Sequence, residues 1–342
     1  MPATGDLHVG VVGVGRIGAF HARTLLGLEG VGAVSVTDVL PERAWRVAGA
    51  SVAESPTALV ERGIDALVIA TTTAEHASLL RLAAAVGLPA FCEKPVALDL
   101  ATLDSIFEDV VHAGTLVQVG YQRRFDAGYR AARAAVADGR LGTLLALRAA
   151  THDPVPPSEE FIAVSGGIFR DLLIHDFDAV RFVTGGEIVE VYADGAVRET
   201  RWFEGYGDVD TAVAVLRLSG GALAIVSGAR RDPLGYDVRL ELFGTGDSVS
   251  VGTGTRAPLR SVEPAVDPPS EPYRNFMDRF EGAYRSELAA FVDAVRHGGP
   301  SACPLEEARA ALVVALAADR SRAERRPVSI EHVALARATS TG

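Results

Sequence analysis

Three groups of residues in this 342-residue chain have types and spacings that could do chemistry. The first is Gly13-Val14-Gly15-Arg16-Ile17-Gly18, followed at a distance by Asp38. In such a run Gly13 permits a tight turn, Gly15 lets backbone approach a pyrophosphate, and Gly18 lets a helix pack on the preceding strand. The phosphates then meet a helix N-terminus. An acid about 20 residues beyond the glycines accepts from a ribose 2′-hydroxyl and repels a 2′-phosphate, so the expected cofactor is NAD rather than NADP. The second group is Phe91-Cys92-Glu93-Lys94-Pro95. Proline cannot continue a strand ladder and biases the residue before it toward extended geometry, which puts Lys94 at the carboxyl end of a short buried strand. That edge is where open α/β sheets bind ligands, although the tripeptide taken alone reads as a solvated loop. The third group is Asp171 and His175. On a helix they are i and i+4, and the carboxylate can orient and charge-stabilise the imidazole; a structural hydrogen bond is the competing reading.

Neighbouring polar residues complete the picture. Asp176 and Asp178 fall elsewhere on the helical cylinder and read as helix-packing or surface groups. Thr71, Thr72, Thr73 and His76 follow another strand at its ligand edge, where they either cap the next helix or contact the cofactor. The cofactor set is therefore Gly13, Gly15, Arg16, Ile17, Gly18, Asp38, Thr71, Thr73, His76, Glu93 and Lys94.

These residues need a scaffold, and the apolar pattern supplies one. Apolar runs at 8–13, 33–37, 66–70, 89–92 and 115–120 alternate with helical stretches, including one from about Leu100 in which Leu103, Ile106, Phe107 and Val110 form a single stripe ended by Gly114. Such βαβ alternation predicts a doubly wound parallel sheet. After Gly120 the pattern changes to longer strand-like runs at 143–150, 187–193, 211–218, 222–227 and 236–243, with Gly220-Gly221 as a hairpin signal. Helices are expected at 126–137, around 169–183, at 285–296 and at 305–323. The fold class is thus α/β: an N-terminal Rossmann doubly wound parallel sheet over residues 5–123, then an α+β domain over 124–338 with a large open, mostly antiparallel sheet.

Composition removes several function classes. The net charge of −11 argues against nucleic acid or an anionic membrane as the main partner, since both call for basic patches. Cys92 and Cys303 have no metal or redox spacing, and no cysteine and histidine cluster suggests a metal. The first residues lack a basic stretch followed by an apolar one, and no apolar run is long enough to span a bilayer, so the expected location is cytoplasmic and the expected ligand a small molecule.

The combination of Gly13-x-Gly15-x-x-Gly18, Ala70-Thr71, Glu93-Lys94-Pro95 and Asp171-x-x-x-His175-Asp176 resembles the Gfo/Idh/MocA oxidoreductases. Within that family, residues 120–126 and 276–287, Gly235-Tyr236-Asp237 and Arg326-Pro327-Val328 look like the inositol 2-dehydrogenases. The resemblance implies NAD-dependent oxidation of a ring hydroxyl of a cyclic polyol to a ketone, with myo-inositol first among substrates, and commonly a homo-oligomer, dimer or tetramer. It also implies Lys94, Asp171 and His175 as the catalytic group, with Arg123, His152, Asp153 and Tyr236 joining them around the substrate. The sequence departs from the family at Thr72, where proline is usual, and at His152-Asp153-Pro154. Two alternatives therefore stand beside the inositol reading: a dehydrogenase of another sugar or sugar acid, and a dinucleotide-sensing protein without catalysis.

Overall fold

Residues that are apolar on both faces of a strand need cover on both sides, and the first half of the chain meets that need with helices. Its elements are β1 (Leu7–Val12), α1 (Arg16–Leu26), β2 (Val31–Thr37), α2 (Pro41–Trp45), β3 (Ser51–Val52), α3 (Pro56–Glu61), β4 (Ala66–Ile69), α4 (Thr73–Ala85), β5 (Ala90–Glu93), α5 (Leu100–Ala113) and β6 (Val117–Gly120). The strands form one parallel sheet in the order β3-β2-β1-β4-β5-β6. Every residue of β4, β5 and β6 is buried, as parallel strands covered on both faces require. The stripe on α5 buries Leu103, Ile106 and Val110; Asp99 caps its start by accepting from the Thr102 N–H at 2.8 Å, and Gly114 ends it at φ 61°.

This computed structural model describes residues 5–264 and 266–335, and the chain divides into two compact units. Residues 336–338 of the expected second domain lie outside the described residues. The first unit is not one continuous segment: it takes residues up to Gln122 and also Gly282–Arg309. Leu288, Phe291 and Val292 of that returning segment join Leu7, Val9, Val11 and Val36 in one apolar core. Gln118 donates to the Glu287 carbonyl at 2.9 Å, and the Val119 N–H to the Cys303 carbonyl at 2.8 Å. A division at 123/124 therefore departs from the observed packing for residues 282–309, because amphipathic spacing shows that a helix is buried without showing against which core.

The second unit comprises Arg123–Glu281 and the residues from Ala310 onward. Its elements are α6 (Ala127–Ala137), β7 (Leu144–His152), α7 (Glu159–Ser165), α8 (Ile168–Asp171), α9 (Ile174–Thr184), β8 (Ile188–Ala196), α10 (Trp202–Gly205), β9 (Thr211–Leu218), β10 (Leu223–Ala229), β11 (Asp237–Gly244) and β12 (Ser248–Val251). Then come α11 (Phe276–His297), α12 (Leu305–Glu324), β13 (Val328–Ser329) and α13 (Ile330–Leu335); the division between units falls inside α11 and α12. The sheet order is β12-β11-β7-β10-β9-β8-β13, and β7 with β10 is its parallel pair. Along β9 burial alternates strictly, the signature of a sheet with one covered and one open face. Among the described residues no helix is long and apolar enough to cross a membrane.

Candidate active site

In the first unit the chemistry-bearing residues gather at the carboxyl edge of the parallel sheet, around the switch point between β1 and β4. Gly13 has φ +83°, and its N–H donates to the Thr37 carbonyl at 2.9 Å. A Cβ on Gly18 would lie 1.8 Å from the Gly13 carbonyl oxygen, whereas a Cβ on Gly15 would meet nothing within 4 Å. Gly18 thus lets α1 close on the turn, and Gly15 leaves open space before the helix N-terminus, which carries no side-chain cap. The Asp38 carboxylate accepts from the Val14 N–H at 2.8 Å and the Leu40 N–H at 2.9 Å, with Arg43 at 3.8 Å. Gly15, Arg16 and Arg43, with Arg23 and Arg46, line a cavity of about 440 Å³ beside this turn. A pyrophosphate and an adenine ribose fit what these residues offer.

Glu93 ends β5 buried, and its carboxylate receives the His21 Nε2 at 2.7 Å and the Lys94 backbone N–H at 3.2 Å. It anchors the lysine through the main chain. His21 stands between Phe91 and Tyr284, at centroid distances of 5.5 and 5.7 Å. Its signal in the sequence was its place with Gly18, Ala22 and Leu25 on the buried stripe of α1. His76, expected at the cofactor, is fully buried, with Nδ1 2.9 Å from the Pro95 carbonyl and Nε2 3.3 Å from the Thr71 carbonyl. Burial pushes its pKa below the ordinary histidine value against the pull of both carbonyls, and the neutral ring, with its single N–H, donates to one of them while packing against the other. It supports the ligand edge from behind. Thr72 caps α4 without a side-chain hydrogen bond, while the Thr71 hydroxyl donates to the Thr72 carbonyl at 3.2 Å.

In the second unit the expected helix around 169–183 is broken: α8 stops at Asp171 and α9 begins at Ile174, with i to i−3 hydrogen bonds from the N–H groups of His175 and Asp176. Asp171 and His175 therefore lie at facing ends of two helices rather than on one cylinder. Asp176 and Asp178 are not surface groups. Both are fully buried, Asp176 receiving Arg123 Nη1 at 2.6 Å and the Thr151 hydroxyl at 2.7 Å, Asp178 receiving Arg124 through Nη2 at 2.6 Å and Nε at 2.9 Å. Arg123, expected to face the substrate, is 1% exposed and also donates to Thr151 at 2.8 Å. Burial alone disfavours the Arg123 guanidinium charge, but Asp176 more than offsets it and raises the pKa, and the guanidinium holds the residue next to His175.

The β7, β10 and β11 strands bring the remaining expected residues together. In their register His152 pairs with Ala229 on one side and with Asp237 on the other. His152 Nδ1 lies 3.4 Å from Asp237 and 4.0 Å from Asp232, and its Nε2 3.3 Å from the Ser227 hydroxyl. His152, Asp232 and Asp237 could together hold a metal ion, but Arg239 already binds both oxygens of Asp237 at 2.8 Å. Burial works against the Asp237 carboxylate, and His152 and Arg239 more than offset it, setting its pKa below the usual value. Tyr236 is buried beside Phe280, with its pKa raised chiefly by that burial. Arg230, just past β10, donates to Asp171 at 2.8 Å and to Asp153 at 3.1 Å. Sequence reading passed over it, because Arg230-Arg231 after a strand looks like ordinary surface charge.

With this geometry in hand, similarity to known proteins is informative. A family model described as oxidoreductase family, NAD-binding Rossmann fold, matches residues 7–121, and one described as the GFO/IDH/MocA C-terminal domain matches residues 129–250. The chain is 35% identical over 332 residues to a myo-inositol 2-dehydrogenase of Thermotoga maritima, covering 96% of this chain and 99% of that protein. It is 38% identical to an inositol 2-dehydrogenase of Rhizobium meliloti, with 94% and 98% covered. A crystal structure of scyllo-inositol dehydrogenase from Lactobacillus casei with bound NAD(H) and scyllo-inositol superposes with a TM-score of 0.85 at 28% identity, covering 95% of this chain and 99% of that one.

Proposed function

This chain belongs to the Gfo/Idh/MocA family of NAD-binding oxidoreductases, and from that membership we propose that it oxidises a ring hydroxyl of a cyclic polyol, myo-inositol first, to the ketone. The observation that carries this reading is the near end-to-end similarity to proteins named inositol 2-dehydrogenase, in a chain that has a lysine, an aspartate and a histidine suited to alcohol oxidation.

The glycine turn, the start of α1 and Asp38 hold NAD, with Thr71, Thr73 and the Glu93-Lys94 pair at the same sheet edge. When bound, the cofactor supplies at its nicotinamide the acceptor for the hydride that leaves the carbinol carbon. The proton of the same hydroxyl goes to His175, an imidazole being the side chain most often used as a general base. Asp171 fixes the imidazole and favours its protonated form. Lys94 donates to the substrate oxygen and stabilises negative charge there. His152, Asp153 and Tyr236 contact the polyol, and Arg123 acts behind His175 through Asp176. The outward face of the second sheet exposes Leu145, Tyr192, Val213, Val215, Leu223 and Ile225, an apolar surface suited to a second copy in a cytoplasmic homodimer or homotetramer.

The test is NADH formation at saturating NAD across inositol isomers and aldoses. Turnover of myo-inositol is expected. Turnover of aldoses alone would move the substrate within the family, and turnover of none would leave a dinucleotide-sensing protein.

A further inference from the structure

Arg230 combines deep burial with an unusual pair of partners. Its side chain is 3% exposed, and its root is fixed: the Arg230 N–H donates to the Asp210 carbonyl at 2.8 Å. The Asp210 carboxylate is in turn fastened by the N–H groups of Arg198, Glu199 and Thr200. At the tip, Nη2 donates to Asp171 Oδ2 at 2.8 Å and Nη1 to Asp153 Oδ2 at 3.1 Å. The two carboxylates come from different elements, Asp171 from the end of α8 and Asp153 from the residue after β7. The parallel pairing of β7 with β10, extended by an Asp153 N–H bond to the Ala229 carbonyl at 2.8 Å, delivers Asp153 to the fork. Burial alone disfavours the guanidinium charge, but Asp171 and Asp153 outweigh it and keep the group ionised. Only a planar fork can span two carboxylates in fixed directions; an ammonium group has no such geometry.

We propose that Arg230 is a positioning residue for the reaction: it holds Asp171 in one orientation and one charge state, and by engaging Asp153 as well it prevents the two carboxylates from sharing a proton. The proposal rests on the reading of Asp171 and His175 as an acid–base pair. The ionisable groups on and beside the elements that supply the fork include His152 at the end of β7 and Asp153 just after it, Arg170 and Asp171 on α8, His175, Asp176 and Asp178 on α9, Asp208 and Asp210 before β9, and Arg231 and Asp232 after β10. Without the guanidinium, Asp153 and Asp171 lose their common cation. One of them then takes up a proton at a pH where both are otherwise charged, because like charges raise a carboxyl pKa. A protonated Asp171 cannot stabilise the imidazolium.

Steady-state kinetics of the full chain test this with Arg230→Ala, Arg230→Lys and Asp171→Asn, each checked for folding by thermal melting and for NADH binding by fluorescence. Arg230→Ala is expected to lower kcat about 100-fold near neutral pH, the scale of a misplaced catalytic group, with KM for NAD unchanged. The acid limb of its kcat profile should move to higher pH, so that activity returns in part as the shared proton is released, and added guanidinium ion should restore part of it at fixed pH. If Arg230→Ala does not fold, Arg230→Lys carries the test: it keeps a charge, loses the fork, and should lose about tenfold in kcat with the same displaced limb. Folded Arg230 variants that keep kcat within about twofold and an unshifted profile would overturn the proposal. Loss of turnover in Asp171→Asn alongside such intact Arg230 variants would overturn only this proposal, whereas full turnover in Asp171→Asn would overturn the acid–base reading and the proposal together.

Discussion

The dinucleotide edge of the first unit and the polar interior of the second solve the same problem, fixing a few groups in place, by different physical means. At the first, the work falls on backbone: a positive φ at Gly13, a missing Cβ at Gly18, open space at Gly15, and main-chain N–H groups held by Asp38 and Glu93. In the second, charged and polar side chains that are 25 to 77 positions apart are paired largely out of water: Arg123 with Asp176, Arg124 with Asp178, Thr151 with Asp176, Arg230 with Asp153 and Asp171. A backbone device is local and depends most on its glycines. A buried ion pair is strong only while both partners remain, since losing one leaves an uncompensated charge.

This contrast orders the expected effects of mutation. Arg123→Met should be the most damaging, destabilising the protein by about 3–5 kcal/mol in urea unfolding, because Asp176 would keep only the Thr151 hydroxyl. The double variant Arg123→Met with Asp176→Leu should recover much of that loss, and a double variant no more stable than the single would blur the distinction between the two units. Gly18→Ala comes next. The new methyl cannot coexist with the Gly13 carbonyl, so α1 must shift, at about 1–3 kcal/mol of stability and with weaker NADH binding in a fluorescence titration. Unchanged NADH affinity would show that the close approach of helix and turn does not shape the cofactor site. Asp38→Ala should have the smallest effect, reducing the preference for NAD over NADP about tenfold, or about 1.4 kcal/mol, as the acid goes and Arg43 remains beside the ribose. Comparable efficiency with both cofactors in the parent protein would remove that role from Asp38.

The same contrast explains what could be read from sequence. The glycine spacing, the acid at the end of β2, the α5 stripe and the alternation of β9 are local patterns, and the fold they indicate is the fold observed. Lys94 just past the end of a buried strand followed from the apolar run before it and the proline after it. Partnership was not legible in this way. Nothing near Asp176 or Asp178 announces an arginine some 50 positions earlier, so both aspartates read as helix-packing or surface groups. Arg230 was hidden for the same reason, and His76 looked like a ligand contact because its burial depends on the Pro95 loop. The break between α8 and α9 had no signal either, since Asp171-Leu172-Leu173-Ile174 contains neither glycine nor proline.

The central claim is that the first unit grips NAD while His175 in the second handles the substrate proton, so the two functions should separate. The direct measurement is NADH formation from myo-inositol by His175→Ala, with NADH binding followed in the same preparation. Turnover is predicted to fall by about 10²–10⁴-fold with NADH affinity unchanged. Undiminished turnover, or a loss of turnover that merely tracks a loss of NADH binding, would contradict it.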